Sequence, residues 1–384
     1  MRITEIQWQD DNNLKRKLSK KYLLILLFPF GYLLNILSRR SSVLTEQYYS
    51  SAIYRGISWF IGNLFGWIPF SVAEILLPVL AVIVLWALIK WGIRLVRNRK
   101  ERWIVLGNGI LNILLAISLV YFSFTALWGL NYNRQSLGSI LDMDVQDSTV
   151  EELVMMTEEL LESTNALREK VDEDEQGVMV PFGGVKDSFK RARKGYLATA
   201  EFIPGFDAVY GRPKPLLFSS VIAYTNIWGI YIPFTAEPNV NMKVPTPMLG
   251  STMMHELAHQ LGFAREDEAN YISFLTCSLH PDADFQYSGH LSALNYSLNA
   301  VYGQNAETYK DLYSRLSEGV KRDYDENSKY HEKYDGPVRE AFSKSNDAYL
   351  KANNQADGER SYGRMVDLLL AQYRHVQQWE DQTR

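Results

Sequence analysis

The chain has 384 residues and a single cysteine, Cys277, so no disulfide can form within it and no cysteine cluster can hold a metal. Cys277 reads as a small buried apolar residue. Histidine is scarce as well, with six in the whole chain, which gives weight to any two that fall at ligand spacing. No internal repeat and no low-complexity tract occurs, so a repeat architecture is excluded. Residues 1–130 hold 15 Lys+Arg against 6 Asp+Glu, a balance of +9, and the remainder balances at −13, giving the overall −4. The basic residues flank apolar runs and make no patch in the acidic part, which argues against a nucleic-acid partner.

What is present is asymmetric. A soluble chain of this length would hold two or three domains. Here a basic, very apolar front precedes an acidic half of ordinary composition, the pattern of an α-helical membrane anchor followed by a soluble domain. The expected boundary falls at 130/131. Three apolar runs stand out, at about 22–37, 72–93 and 104–130. The last two are long enough for about 30 Å of hydrocarbon, and the first is slightly short. No small-residue cleavage site follows the first run, since "SRRSS" does, which argues against a cleaved signal peptide. Residues from about 49 to 70, rich in Tyr, Trp and Gly, suit an interfacial helix or re-entrant segment, with a further short span as the lesser alternative.

Lys15, Arg16, Lys17, Lys20 and Lys21 precede the first run, and Lys90, Arg94, Arg97, Arg99, Lys100 and Arg102 lie between the second and third. Only Arg39, Arg40 and Arg55 lie between the first and second. The positive-inside rule places the N-terminus in the cytoplasm and everything after Leu130 outside. One uncounted span would reverse that.

The back half reads as mainly α, an α+β domain whose small sheet comes just before residue 247. Val150, Leu153, Met156, Leu160 and Leu161 recur at helical spacing, whereas "KPLLFSSVIAYTNIWGIYIPFTAEPNVN" is β-branched and aromatic and reads as one or two strands. Next comes "MMHELAHQLGFAREDEANYISFL", residues 253–275. His255 and His259, at i and i+4, share one helix face and can bind one tetrahedral Zn²⁺. Glu256 is one step round the helix, able to take a proton from a water activated by the metal. Chance occurrence of this spacing is below about one in a hundred such chains.

A catalytic zinc takes three protein ligands and keeps a position open. Gly262 ends the first helix, and "REDEANYISFL" starts a second with its acids in the first turn. Glu266 is the preferred third ligand, with Asn270 on the same face orienting a ligand from behind. Glu268, about 200° round the helix, is the rival, and Asp267, with its shorter reach, comes third. The strand "GIYIPFTAEPNVN" could align an extended substrate, with Tyr231, Phe234, Glu237 and Asn241 along it, or be a plain core strand. Tyr287 and His290 could donate to a transition-state oxyanion, and His290 could be a fourth ligand of a structural zinc site. His280, His331 and His375 read as surface residues. The HExxH helix is far in sequence from the three runs, so cleavage within or at the membrane is not expected.

The arrangement resembles the gluzincin metallopeptidases, whose third ligand is a Glu on the helix after HExxH; "EDEAN" matches their Glu-x-x-Ala-Asn pattern at Glu266 and Asn270, with an unusually short link. The metzincin HExxHxxG turn is similar too, but Arg265 stands where that family has its last ligand. Taken together, "WGLNYNR", "YIPFTAEPNVN", "HELAHQLGFAREDEANYISFL" and "YSGHLSALNY" are similar to a bacterial domain-of-unknown-function family of multi-pass membrane proteins with an HExxH centre. The resemblance implies an anchored zinc-peptidase-like protein of the bacterial cytoplasmic membrane. The function expected from the chain is a zinc metallopeptidase acting on peptide or protein substrates. The alternatives are a membrane protein with a structural or sensory zinc site and no turnover, or a metal-free scaffold.

Overall fold

The computed structural model describes residues 21 and 23–383. Lys15, Arg16, Lys17 and Lys20, with the start of the first apolar run at Tyr22, lie outside the described residues. The described chain folds into two compact units that are discontinuous in sequence: residues up to Tyr49 with Ile75–Arg134, and Ser50–Glu74 with Gln135–Arg384.

The first unit is helical. Helix α1 covers Leu27–Arg39; after α2, which belongs to the other unit, come α3, Ala73–Arg97, and α4, Arg102–Leu127. Helices α3 and α4 have 25 and 26 residues and are apolar on every side, long enough to cross a membrane; a third candidate exists only if the bent pair Leu23–Arg39 and Ser42–Phe65 is taken as one span. At 1.5 Å per residue each exceeds the roughly 30 Å of a hydrocarbon core. Phe28 packs on Tyr121 and Phe30 on Phe122, joining α1 to α4. The "WGLNYNR" stretch forms a buried 3₁₀ turn after α4. The Asn133 amide donates to Asn35 Oδ1 and Ser38 Oγ, and Arg134 meets the Glu46 carboxylate with two hydrogen bonds of 2.7 and 2.8 Å.

The second unit takes in the segment read above as interfacial. Helix α2, Tyr54–Phe65, buries Tyr54, Ser58 and Gly62, one residue per turn on one face. Tyr54 Oη donates to the carbonyls of His259 and Gln260, and Ser58 Oγ to that of Gln260. The unit boundary therefore differs from the expected 130/131 cut, because α2 has a polar-tipped inner face that finds its acceptors at the end of the HExxH helix.

The rest of the unit is mostly helical. Helix α5, Val150–Arg168, opens on a capping box of Thr149 and Glu152, which satisfies two otherwise orphaned N–H groups. Helices α6 (Thr246–Gln260), α7 (Glu266–Ser278) and α8 (Ala283–Gln304) pack with α5 around Leu160, Met253, Leu257, Ile272, Leu291 and Leu294. Cys277 is fully buried there. Two later helices of this unit are α9, Glu318–Lys333, and α10, Met365–Thr383. A two-residue hairpin, β1 (Asp172–Glu173) with β2 (Met179–Val180), is separate from a three-stranded sheet of β3 (Lys214–Pro215), β4 (Gly229–Ile232) and β5 (Glu237–Val240). The order is β3-β5-β4, with β3 parallel and β4 antiparallel to β5, so β4 is an edge strand, and β5 is the strand that leads into the HExxH helix.

Candidate metal centre

Helix α6 starts after Pro245 with Pro247 in its first turn, where a missing N–H costs nothing. It is buried along almost its whole length, as its apolar "PMLGSTMM" lead-in requires. It stops at Gly262, whose φ of +90° lies in the left-handed region that a side chain disfavours. Gly262 N–H donates to the His259 carbonyl and Phe263 N–H to that of Ala258, the paired bonds of a Schellman stop. The same turn brings the Phe263 carbonyl 2.7 Å from His259 Nδ1. That carbonyl can only accept, so Nδ1 carries the proton and the lone pair is on Nε2.

Helix α7 then begins, and its first residue turns its carboxylate back onto α6. Glu266 Oε2 lies 3.1 Å from His255 Nε2 and 3.6 Å from His259 Nε2. The three ligand atoms all fall within 4.8 Å of one another. Ligands of a tetrahedral zinc with bonds of about 2.0–2.1 Å are about 3.3 Å apart, so these separations have the right scale. The two imidazole planes are nearly perpendicular, 88°, with centroids 4.6 Å apart.

Electrostatics give an independent test of fit. Glu266 Oε2 and Glu256 Oε2 are both buried without a hydrogen-bond partner. With Nδ1 of His259 donating to the Phe263 carbonyl, Nε2 faces a carboxylate oxygen, a place that suits a positive charge, either a proton or a bound metal ion. Burial opposes charge on either group, yet Glu266 holds the His259 imidazole above its ordinary range, and the two histidines hold the Glu266 carboxyl below its own. Burial pushes Glu256 up to about 7, partly offset by the neighbouring histidines. Two nitrogens and one carboxylate oxygen form a donor set that suits zinc with an open position.

Glu256 lies against β4. A Cβ on Gly229 would come within 2.3 Å of Glu256 Oε1, so this strand position has room only for glycine. The edge strand therefore passes directly beside the carboxylate.

The other acids of α7 point elsewhere. Glu268 Oε1 accepts from Leu137 N–H at 2.7 Å and from Arg265 Nη2 at 2.5 Å. Asp267 is pushed up to about 6, mainly by burial and then by Glu268. Asn270 donates to the Tyr296 hydroxyl and the Tyr362 carbonyl, and neither bond goes to one of the three candidate ligands. Burial raises both tyrosine hydroxyls, and the charge of Glu266 adds to it. Neither tyrosine was singled out above; Tyr296 ends the "YSGHLSALNY" stretch, while nothing local marks Tyr362.

Four further positions have structural partners. Tyr287 is fully buried and its hydroxyl donates to Asp323, which also pairs with Arg168, so it is not free to meet an oxyanion. His290 Nδ1 bonds the Gln286 carbonyl, its ring packs on Phe274, and it is outside the group of three ligand atoms. Glu237 is buried on Lys214 and caps the N–H groups of Val72 and Ala73, and Asn241 is buried on the Ile227 carbonyl and Lys243 N–H. Along the strand, Tyr231 points inward to the Tyr54 hydroxyl, while Phe234 is exposed. His280 is also not at the surface: it is fully buried, with Nδ1 accepting from Asp282 N–H and Nε2 donating to the Arg191 carbonyl. His331 is half-buried and stacked on Trp228, and His375 is exposed.

The chain belongs to a family described as "Protein of unknown function (DUF3810)", whose model matches residues 49–370. No curated protein and no solved structure matches it.

Proposed function

We propose that this member of the family is a membrane-anchored, zinc-dependent metallopeptidase of gluzincin type with a zincin-like domain. The observation that carries the reading is the convergence of His255 Nε2, His259 Nε2 and a Glu266 oxygen beside the buried, unpartnered carboxylate of Glu256. When bound, zinc would supply Lewis acidity, acidifying water and polarising a carbonyl. His255, His259 and Glu266 hold the metal. The Phe263 carbonyl keeps His259 in the ligating tautomer. Glu256, with its proton affinity raised by burial to about 7, takes a proton at its carboxylate oxygen near neutral pH and returns it to the leaving amine. The place of β4 at the edge of the sheet, among the described residues, supports an extended peptide substrate, since an edge strand next to Glu256 can pair with one by backbone hydrogen bonds.

In this reading α3 and α4 cross a bacterial cytoplasmic membrane, and the metal-binding unit lies outside it. A structural zinc site needs no base and takes four protein ligands; the group here has three among the described residues. The test uses the purified full chain. Near-stoichiometric zinc, lost in the His255→Ala/His259→Ala variant, and peptidase activity that drops about 100-fold or more in Glu256→Gln while zinc stays bound, support the proposal. A zinc-free protein, or unchanged turnover in Glu256→Gln, sinks it.

A further inference from the structure

We infer that the metal-binding unit carries its own lipid-facing surface, made by the outer face of α2 together with residues 217–221, and that this face lies in the bilayer interface. Two stretches of this unit, 56–73 and 215–236, contain no Asp, Glu, Lys or Arg. Water-facing segments of globular proteins are commonly about a quarter charged. Helix α2 buries Tyr54, Ser58 and Gly62 and turns Trp59, Phe60 (63% exposed), Leu64 and, just beyond its end, Trp67 (77% exposed) outward. In the second stretch Leu217 (59%), Phe218 and Val221 (68%) are exposed in the same way.

Three buried charges lock the two stretches together where they meet. Lys214 donates to the Phe65 carbonyl at the end of α2 and to Glu237. Glu237 accepts from Val72 and Ala73 N–H at the start of α3. Glu74 accepts from Leu217 N–H at 2.6 Å and from Phe218 N–H at 2.9 Å. Immediately after Glu74, the chain continues into the exposed, wholly apolar turns of α3. That covalent continuity commits the occupant. The exposed Leu217 and Phe218 are bonded to the residue that leads into a membrane-length helix, so the partner is lipid rather than a protein. The outward Trp59 and Trp67 have the amphipathic rings that favour the headgroup level. Since Tyr54 and Ser58 on the inner face of α2 bond the carbonyls of His259 and Gln260, the metal centre is then separated from lipid by little more than one helix, roughly 10 Å.

The inference rests on the reading of α3 as a span and holds whether or not the centre is catalytic. The test places nitroxide labels on the full chain in lipid nanodiscs. Cys277 is buried and its thiol is pushed up by burial, so introduced cysteines are the reactive ones. Phe60→Cys, Leu217→Cys and Val221→Cys carry the label, with Val82→Cys on α3 as the lipid reference and Tyr302→Cys on α8 as the aqueous reference. Accessibility to oxygen over a polar nickel chelate at positions 60, 217 and 221 that is clearly above that at 302 and lies between 302 and the mid-span position 82 is the expected result. Chelate accessibility at 217 and 221 equal to that at 302 overturns the inference. Shielding from both reagents overturns it too, because a protein partner or second copy then covers the face. An aqueous Val82 overturns the spanning reading and this inference with it.

Discussion

His259 Nδ1 and the Phe263 carbonyl oxygen lie 2.7 Å apart across the turn made by Gly262. One turn thus ends the helix, fixes the tautomer of a ligand and starts the chain towards Glu266. Gly262→Ala places a side chain at φ +90°. The expected cost is about 1–2 kcal/mol, read as a lowered midpoint in thermal unfolding. Zinc affinity should fall about 10-fold or more in a competition titration with a chelator, because the ring loses its support. Unaltered affinity would show that the carbonyl is not needed to hold His259.

Glu266 and Glu268 separate cleanly by substitution. Glu266→Ala should abolish tight zinc binding while leaving a folded protein. Glu268→Ala should keep the zinc and lose stability, since it removes the acceptor of Leu137 N–H and of Arg265, a charge-assisted pair whose loss costs about 1.5–3 kcal/mol. Metal content and denaturation of the two variants, measured side by side, check this. Zinc lost only from the Glu268 variant would assign the ligand the other way.

Tyr287→Phe tests the role of that hydroxyl. Bonded to Asp323 within the Arg168 network, it is expected to contribute stability, so turnover at saturating substrate should stay within about 2-fold while the unfolding midpoint drops. A 100-fold loss of turnover with an unchanged midpoint would return Tyr287 to the reacting centre.

His280 makes stability depend on pH. Burial holds its imidazole below the ordinary value, although the Arg191 carbonyl and the Asp282 and Asp284 carboxylates favour the proton and Arg191 itself opposes it. Below about 6.5 the unfolded chain takes up a proton that the folded chain refuses, so the contribution is full above that pH and is lost as pH falls towards the folded value. Unfolding midpoints of zinc-loaded protein between pH 7.5 and 5 should fall, with a shallower slope in His280→Gln. Identical slopes would remove His280 as the source.

Reporter fusions after Leu130 should give an extracytoplasmic signal, as the arginines and lysines between α3 and α4 require if that connection is cytoplasmic. A cytoplasmic signal would reverse the orientation.

Much of the centre was legible locally. Helical periodicity puts His255 and His259 on one face whatever surrounds them, Gly262 is a helix stop by its own conformational freedom, and the lengths of the apolar runs at 72–93 and 104–130 follow from composition alone. A small sheet before the motif was legible from the β-branched, aromatic stretch, but the one or two strands expected there are three short ones, β3, β4 and β5, with helical turns over 219–225 between β3 and β4.

The tertiary structure decided what depends on distant partners. Helical spacing ranks Glu266 ahead of Glu268 and Asp267 among three consecutive acids; that Glu266 meets the histidines and Glu268 meets Leu137, 131 residues away, follows from the docking of α7. Tyr287 looked available until Asp323, 36 residues on, took its hydroxyl, and His280 looked exposed until Arg191 and Asp282 closed over it. The aromatics around Tyr54 read as an interfacial helix or re-entrant segment, but nothing local tells that its hydroxyl meets the His259 carbonyl, 205 residues on. Periodicity and turn preference act within a few residues and can be read in a string. Which buried hydrogen-bonding group satisfies which is settled only when the folded chain brings remote acceptors within about 3 Å.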